Sequence, residues 1–106
     1  MNPKIETIIA ELQRYFNLLY GERLVQMVPF GSQARGQAEP GSDIDILVVL
    51  RGLVSPCEEI ERTLNHVAEI SLNFNVVVSC VFVSEEQFQH EQSPMLLNVR
   101  REGILL

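Results

Sequence analysis

A chain of 106 residues has room for one domain, and 46% hydrophobic with 21% charged residues is globular rather than disordered composition. Fourteen Asp and Glu against eight Lys and Arg leave a net charge of −6, without the basic surplus that grips a nucleic-acid backbone, so template-directed or tRNA-directed polymerisation by this chain alone is disfavoured. No apolar run approaches the ~20 residues that cross a bilayer, and Glu6 and Glu11 interrupt the stretch where a signal peptide would be continuous, which makes cytoplasmic residence the expectation.

Asn2-Pro3 reads as an N-cap followed by proline at the first helical position. Ile5, Ile8, Ile9, Leu12, Phe16 and Leu19 then recur at helical spacing, and Gly21 is a natural stop, which predicts a helix over 3–20. A strand over 23–30 follows, with Pro29 near its end, where a missing backbone donor is tolerable. Residues 31–42 are rich in Gly, Ser and Pro and read as a functional loop. A second strand is expected over 43–50.

Ser55-Pro56-Cys57-Glu58 has the capping-box pattern and opens a second helix, with an apolar stripe of Cys57, Ile60, Leu64, Val67 and Ser71 and Ala68 alongside. Residues 76–83 are apolar on both faces, as in a strand buried in the middle of a sheet. Ser84 to Gln87 repeats the capping-box pattern ahead of a short helix. Ser93-Pro94 opens another helix, which Gly103 closes. Cys57 and Cys80 are too few for a disulfide framework and are expected as packing residues. The resulting order is a single α+β (mixed α/β) domain over 1–106, on a sheet of at least three strands.

Two short patterns bear on chemistry. Asp43 and Asp45 stand two apart on a strand, so their side chains share a face, with Cβ atoms roughly 6–7 Å apart. Converging carboxylates at that spacing can hold Mg²⁺, which takes one or two carboxylates plus waters and substrate phosphates, and they leave room for two ions. Ile44, Ile46, Val48 and Leu50 would anchor the opposite face in the core. Gly31-Ser32 ends the preceding strand, where a glycine lets the backbone approach a phosphate and a hydroxyl can donate to it. Each pattern alone is common; their strength lies in the spacing that joins them.

Phe30-Gly31-Ser32-Gln33-Ala34-Arg35-Gly36-Gln37-Ala38, followed by Ser42-Asp43-Ile44-Asp45, resembles the F-G-S-x-A-R-G-x-A…S-D-x-D signature of the minimal nucleotidyltransferases. These are relatives of DNA polymerase β and of kanamycin nucleotidyltransferase. The C-terminal Asn98-Val99-Arg100-Arg101-Glu102-Gly103 also resembles the usual ending of short family members. The resemblance implies the polymerase β-like palm fold and metal-dependent transfer of a nucleoside monophosphate from a triphosphate to a hydroxyl. By motif position it makes Asp43 and Asp45 catalytic metal ligands, and Gly31 and Ser32 phosphate contacts. Arg35 falls on the motif arginine, facing triphosphate or acceptor, and Ser42 is placed to orient Asp43.

One departure matters. The family usually carries a third carboxylate on the next strand, yet residues 73–83 contain no acid, and Val77 or Ser79 holds the corresponding position. Glu69 and Glu85, the nearest acids, fall on flanking helices. His66 and His90 have no metal-ligand partner at useful spacing, and Arg100-Arg101 read as solvated basic residues in a last helical turn. Two functions are therefore expected. The first is an Mg²⁺-dependent transferase moving AMP from ATP to a protein hydroxyl, since short family members act as antitoxins of HEPN-type ribonucleases by adenylylating them. The second is a catalytically degenerate module that binds nucleotide or partner and neutralises a HEPN-type toxin by contact. A homo-oligomer is compatible with either.

Overall fold

The computed structural model describes residues 3–31 and 43–103, and the readings placed on Asn2, Ser32, Arg35 and Ser42 lie outside them. Within these residues the order is α1 (Pro3–Tyr20), a 3-10 turn (Gly21–Arg23), β1 (Leu24–Phe30), β2 (Ile44–Leu50), α2 (Pro56–Phe74), β3 (Val78–Ser84), α3 (Glu85–His90) and α4 (Pro94–Glu102). This is the expected α+β order, with each strand boundary within a residue or two of the sequence reading. None of these helices is long and apolar enough to cross a membrane.

The sheet runs β1-β2-β3, antiparallel between β1 and β2 and parallel between β2 and β3. Alternation along β2 sorts its side chains to two faces. Ile44, Ile46, Val48 and Leu50 join Ile5, Ile8, Ile9, Leu12 and Phe16 of α1 and Ile70 of α2 in one core. Leu47 and Val49 join Val28, Val83 and the α4 residues Leu96 and Val99 in a second. Helices thus cover both faces, which is why β2 reads as an almost continuous apolar run.

β3 does not have the expected place. It is apolar on both faces but lies at the sheet's edge, while β2 is central. Burial of a strand's two faces depends on the helices above and below it, whereas a central place depends on neighbours in the hydrogen-bonding direction. Hydropathy reports only the first.

The stripe of α2 is also rotated from its expected position. The helix buries Glu59, Thr63 and Ile70, while Ile60 and Leu64 are 46% and 56% exposed and Cys57 and Ala68 are exposed. Polar residues can occupy the buried face because each has a partner there. Tyr20 donates its hydroxyl to Glu59 Oε1 at 2.7 Å, Arg62 Nε lies 3.7 Å from the same oxygen, and Thr63 Oγ1 donates to the Glu59 carbonyl at 2.8 Å. Burial and the Glu59 contact push the Tyr20 hydroxyl well above the usual tyrosine range.

Local caps divide similarly. Ser84 and Gln87 form the expected capping box, and Ser93 Oγ accepts from Leu96 N. The helix at Pro56 begins where expected, but the Ser55 side chain makes no capping bond. Arg100, read as a solvated residue, donates to the Phe88 and Gln87 carbonyls and ties α4 to the end of α3.

The buried Tyr20–Glu59 bond gives a stability test. Tyr20→Phe leaves a buried carboxylate without its donor and is expected to cost about 1–3 kcal/mol in urea unfolding. Glu59→Gln, which can still accept that bond, is expected to cost less. Equal losses would show that the bond does not hold α1 to α2.

Candidate functional site

The antiparallel pairing of β1 with β2 carries the end of one strand to the start of the next. Phe30 stands opposite Asp45, and Gly31 follows directly. At the far end the pair is closed by Arg51 N donating to the Arg23 carbonyl at 2.8 Å. There Arg23 also donates to the Arg51 and Leu53 carbonyls, and Arg51 to the Glu22 carbonyl. The parallel partner sets the other flank: Ile44 N donates to the Val77 carbonyl at 2.8 Å, and Asp45 pairs with Ser79. Gly31, Asp45 and Ser79 are therefore assembled by sheet register, with Asp43 just ahead of β2.

Gly31 has φ +79°, in the left-handed region that other residues rarely adopt. A Cβ built there would lie 2.6 Å from Asp45 Oδ2 and 3.5 Å from its Cγ. The glycine requirement expected from phosphate approach thus has a nearer cause: the space a side chain would fill is already bounded by the Asp45 carboxylate. Asp45 is half-buried and Asp43 exposed. Partial burial, and then the charge of Asp43, push the Asp45 carboxyl above its usual range. A cation beside the pair would relieve both effects.

Ser79 resolves the choice left open on the third strand. It shares Asp45's register position, so it presents its side chain on the same face, and it is exposed; Val77 precedes the strand. No cluster of three or more His, Cys, Asp or Glu suited to a metal occurs among the described residues. Glu69 is exposed on α2 and Glu85 opens α3, as expected. His66 stacks on Tyr15 with ring centroids 3.7 Å apart, and His90 is exposed at the end of α3. Of the cysteines, Cys57 is exposed rather than packed, while burial pushes the half-buried Cys80 thiol up to about 12, which leaves it unreactive at neutral pH.

Sequence reasoning gave α4 no part in the site beyond its resemblance to a family ending. Met95, Asn98 and Glu102 of this helix line a small cavity of about 120 Å³ with Phe30 and Gly31. The signal was present in the Asn98–Gly103 segment, but nothing local to it indicated that α4 packs beside Gly31.

Comparison with known proteins shows the family and the fold. Residues 5–99 match the family model described as a nucleotidyltransferase domain. A Methanocaldococcus jannaschii protein named as a protein adenylyltransferase is 31% identical over 102 residues, covering 95% of this chain and 96% of its own length. A second protein of that organism, named likewise, is 25% identical over 76 residues, covering 72% of this chain and 76% of its own. Among solved structures, a toxin–antitoxin complex with AMP-PNP superposes with a TM-score of 0.61 at 23% identity, over 94% of this chain and 70% of that one. A toxin–antitoxin MntA-HpeT variant superposes at 0.57 and 20% identity, over 92% and 70%. At these identities the structural likeness establishes the fold.

Two measurements test the geometry. Gly31→Ala and Gly21→Ala both force alanine into positive φ, a backbone cost of about 1–2 kcal/mol, but a Cβ at Gly21 meets nothing within 4 Å. Gly31→Ala should therefore lose more stability than Gly21→Ala. Equal losses would mean that the Asp45 carboxylate swings clear freely. The second concerns charge. Because folding raises the Asp45 pKa, ionising Asp45 destabilises the metal-free protein, and this penalty grows as pH rises through the raised value. Asp45→Asn should then raise the thermal midpoint by roughly 2–5 °C at neutral pH, with the advantage fading as pH falls towards about 4. A difference that does not change with pH would contradict the raised carboxyl.

Proposed function

The chain belongs to the nucleotidyltransferase domain family, and from that premise we propose that it transfers AMP from ATP to a hydroxyl of a partner protein, with pyrophosphate leaving, as the antitoxin of a HEPN-type toxin. The observation that carries the reading is the close approach of Gly31 to Asp45 beside Asp43. It sets a backbone position without a side chain against two carboxylates, in a chain too acidic to attract bare phosphate without a cation.

The donor set fits Mg²⁺. Two carboxylates on one strand start, one of them partly desolvated and raised in pKa by its neighbour, are the protein's share of an octahedral oxygen site whose remaining positions go to water and phosphates. Asp43 and Asp45 would hold one ion, with a second admitted between them and the substrate. The bound metal supplies charge neutralisation on the triphosphate and lowers the pKa of an oxygen it binds.

The remaining work falls to the chain. Gly31 would let phosphate approach the backbone, and motif position assigns Ser32 to a phosphate oxygen and Ser42 to orienting Asp43, both outside the described residues. Motif position likewise assigns Arg35, outside the described residues, to the triphosphate or the acceptor. The protein acceptor is supported by the name of the more similar relative and by the net acidity, which disfavours nucleic acid. The toxin partner is supported by the pairing in the similar complexes, and ATP by the AMP-PNP bound in one of them.

Ser79 favours one specific second reading. With serine at the register position of Asp45 on the neighbouring strand, nothing on β3 can serve as a base for the attacking hydroxyl. A module that binds nucleotide and neutralises its partner by contact would tolerate that serine. Incubation with α-labelled ATP, Mg²⁺ and a HEPN-type partner separates the two. Transfer of label to the partner, lost by at least ~100-fold in Asp43→Asn and Asp45→Asn, supports the enzyme. Nucleotide binding and toxin neutralisation without label would establish the contact module.

Ser79→Asp sharpens the test. The site is exposed, so the substitution avoids the penalty of a buried carboxylate. If transfer is limited by a missing base, this variant should raise it by roughly 10-fold or more. An unchanged or reduced rate, in a variant that still binds nucleotide, would show that the acid is supplied from elsewhere.

A further inference from the structure

We propose that the end of the sheet remote from Asp45 holds a site for a small multivalent oxyanion, of the phosphate or pyrophosphate kind, gripped by Arg23, Arg51 and Arg62. The site is separate from the carboxylates and independent of the catalytic reading.

Antiparallel pairing puts Arg23, just before β1, and Arg51, just after β2, at the same end of the hairpin. Main-chain carbonyls fix both guanidiniums. Arg23 Nε donates to the Arg51 carbonyl at 3.2 Å and Nη2 to the Leu53 carbonyl at 3.2 Å, while Arg51 Nη1 donates to the Glu22 carbonyl. The Arg23 guanidinium also lies over the Tyr20 ring, 5.9 Å from its centroid. A guanidinium carries about five N–H groups, so these bonds leave most donors of both side chains open. Neither arginine forms an ion pair with a described carboxylate, although acids outnumber bases 14 to 8 in the chain. Two positive charges are thus held in set orientations without a counter-charge.

Both border an open cavity of about 400 Å³, whose other wall is Ser55 and the first two turns of α2. Arg62 stands on that wall with half of its side chain exposed, its Nε 3.7 Å from Glu59 Oε1. The Ser55 hydroxyl makes no capping bond and lines the same wall. Two carboxylates line the cavity as well. Glu59 is buried and already bonded to Tyr20 and paired with Arg62. Glu58 is exposed and pairs with none of the three arginines. Glu85 and Glu86 line a neighbouring hollow that shares only Gly52, Leu53 and Val54 with this one.

The donor set selects the ligand. One arginine satisfies a carboxylate through a bidentate pair. Three guanidiniums brought together from a hairpin end and a helix suit an anion with oxygens on several sides and more than one charge. Phosphate and pyrophosphate have that character. The acidity that keeps bare phosphate from Asp43 and Asp45 is weakened at this distance. From the Phe30–Asp45 pair to the Leu24–Leu50 pair the hairpin spans about 20 Å, roughly twice the length over which 0.1 M salt screens exposed charges. An anion bound here ties the strand ends to α2.

Thermal-shift titration of the full chain with sodium pyrophosphate or phosphate, in EDTA and against sodium chloride of equal ionic strength, tests this. Pyrophosphate should raise the midpoint saturably where chloride does not. Arg62→Gln, which leaves the main-chain bonds of Arg23 and Arg51 intact, should weaken binding by about 10-fold. Glu58→Gln removes an acid from the wall and should strengthen binding by about 3-fold or more; a purely structural role for the arginines predicts no such gain. Asp45→Asn should bind the anion as the wild type does. Competition by metal-free ATP would identify the phosphates of a nucleotide as a source of the ligand, and its absence would assign the site to the free anion. Three results would overturn the proposal. One is no saturable response to pyrophosphate, or a response unaltered in both Arg62→Gln and Glu58→Gln. Another is a response lost in Asp45→Asn, which would place the anion at the other end of the sheet. The third is saturable binding of a glutamate-rich peptide in place of pyrophosphate, which would assign the arginines to a protein partner.

Discussion

The site depends on the register of β2. A one-residue slip of this strand would turn Asp45 into the core beside α1 and bring Ile44 and Ile46 to the face that now carries Gly31. Hydrophobicity alone specifies that register weakly, because Leu47 and Val49 are as buried as Ile46 and Val48. The carboxylates break the symmetry. They cannot enter the α1 face without losing hydration, a loss of several kcal/mol per ion, so they fix which side of β2 meets which helices. Arg23 and Arg51 then lock the opposite end of the hairpin through main-chain carbonyls. The residues suited to bind a cation also specify the fold.

Much of this was legible in the sequence. The Asp43–Asp45 spacing, the apolar Ile44-Ile46-Val48-Leu50 face and the glycine at the end of β1 are local patterns, and local patterns determine strand faces and turn chemistry. The α1 stripe and the Ser84–Gln87 cap were legible for the same reason. What was not legible depends on contacts between distant segments. Glu59 counts as solvent-seeking in any hydropathy pattern, and its buried hydrogen bond comes from Tyr20, 39 residues away. The edge position of β3 and the packing of Met95, Asn98 and Glu102 beside Gly31 follow from topology, which no window of residues contains.

The carboxylate pair also sets a tension between stability and binding. In the metal-free protein Asp45 is partly desolvated and faces Asp43, both of which oppose its ionisation. That strain is small against the two apolar cores on either side of the sheet, and on the proposed function it would turn into affinity for a cation, because ligand bound only to the native state stabilises it. On the proposed function, an acidic chain of this kind would favour a nucleotide that already carries its metal. The carboxylates repel bare triphosphate, and the metal reverses the sign of the encounter.

Alternation gives β3 two separable surfaces. Ser79, Val81 and Val83 turn their side chains to the face of Asp45 and their main-chain groups to β2. Val78, Cys80 and Phe82 turn their side chains to the α2 core and their main-chain groups to the open edge. The strand's lack of charge has a different meaning on each face. Towards the helices it reflects burial. At Ser79, which is exposed, burial does not account for it, and an acid would be tolerated there.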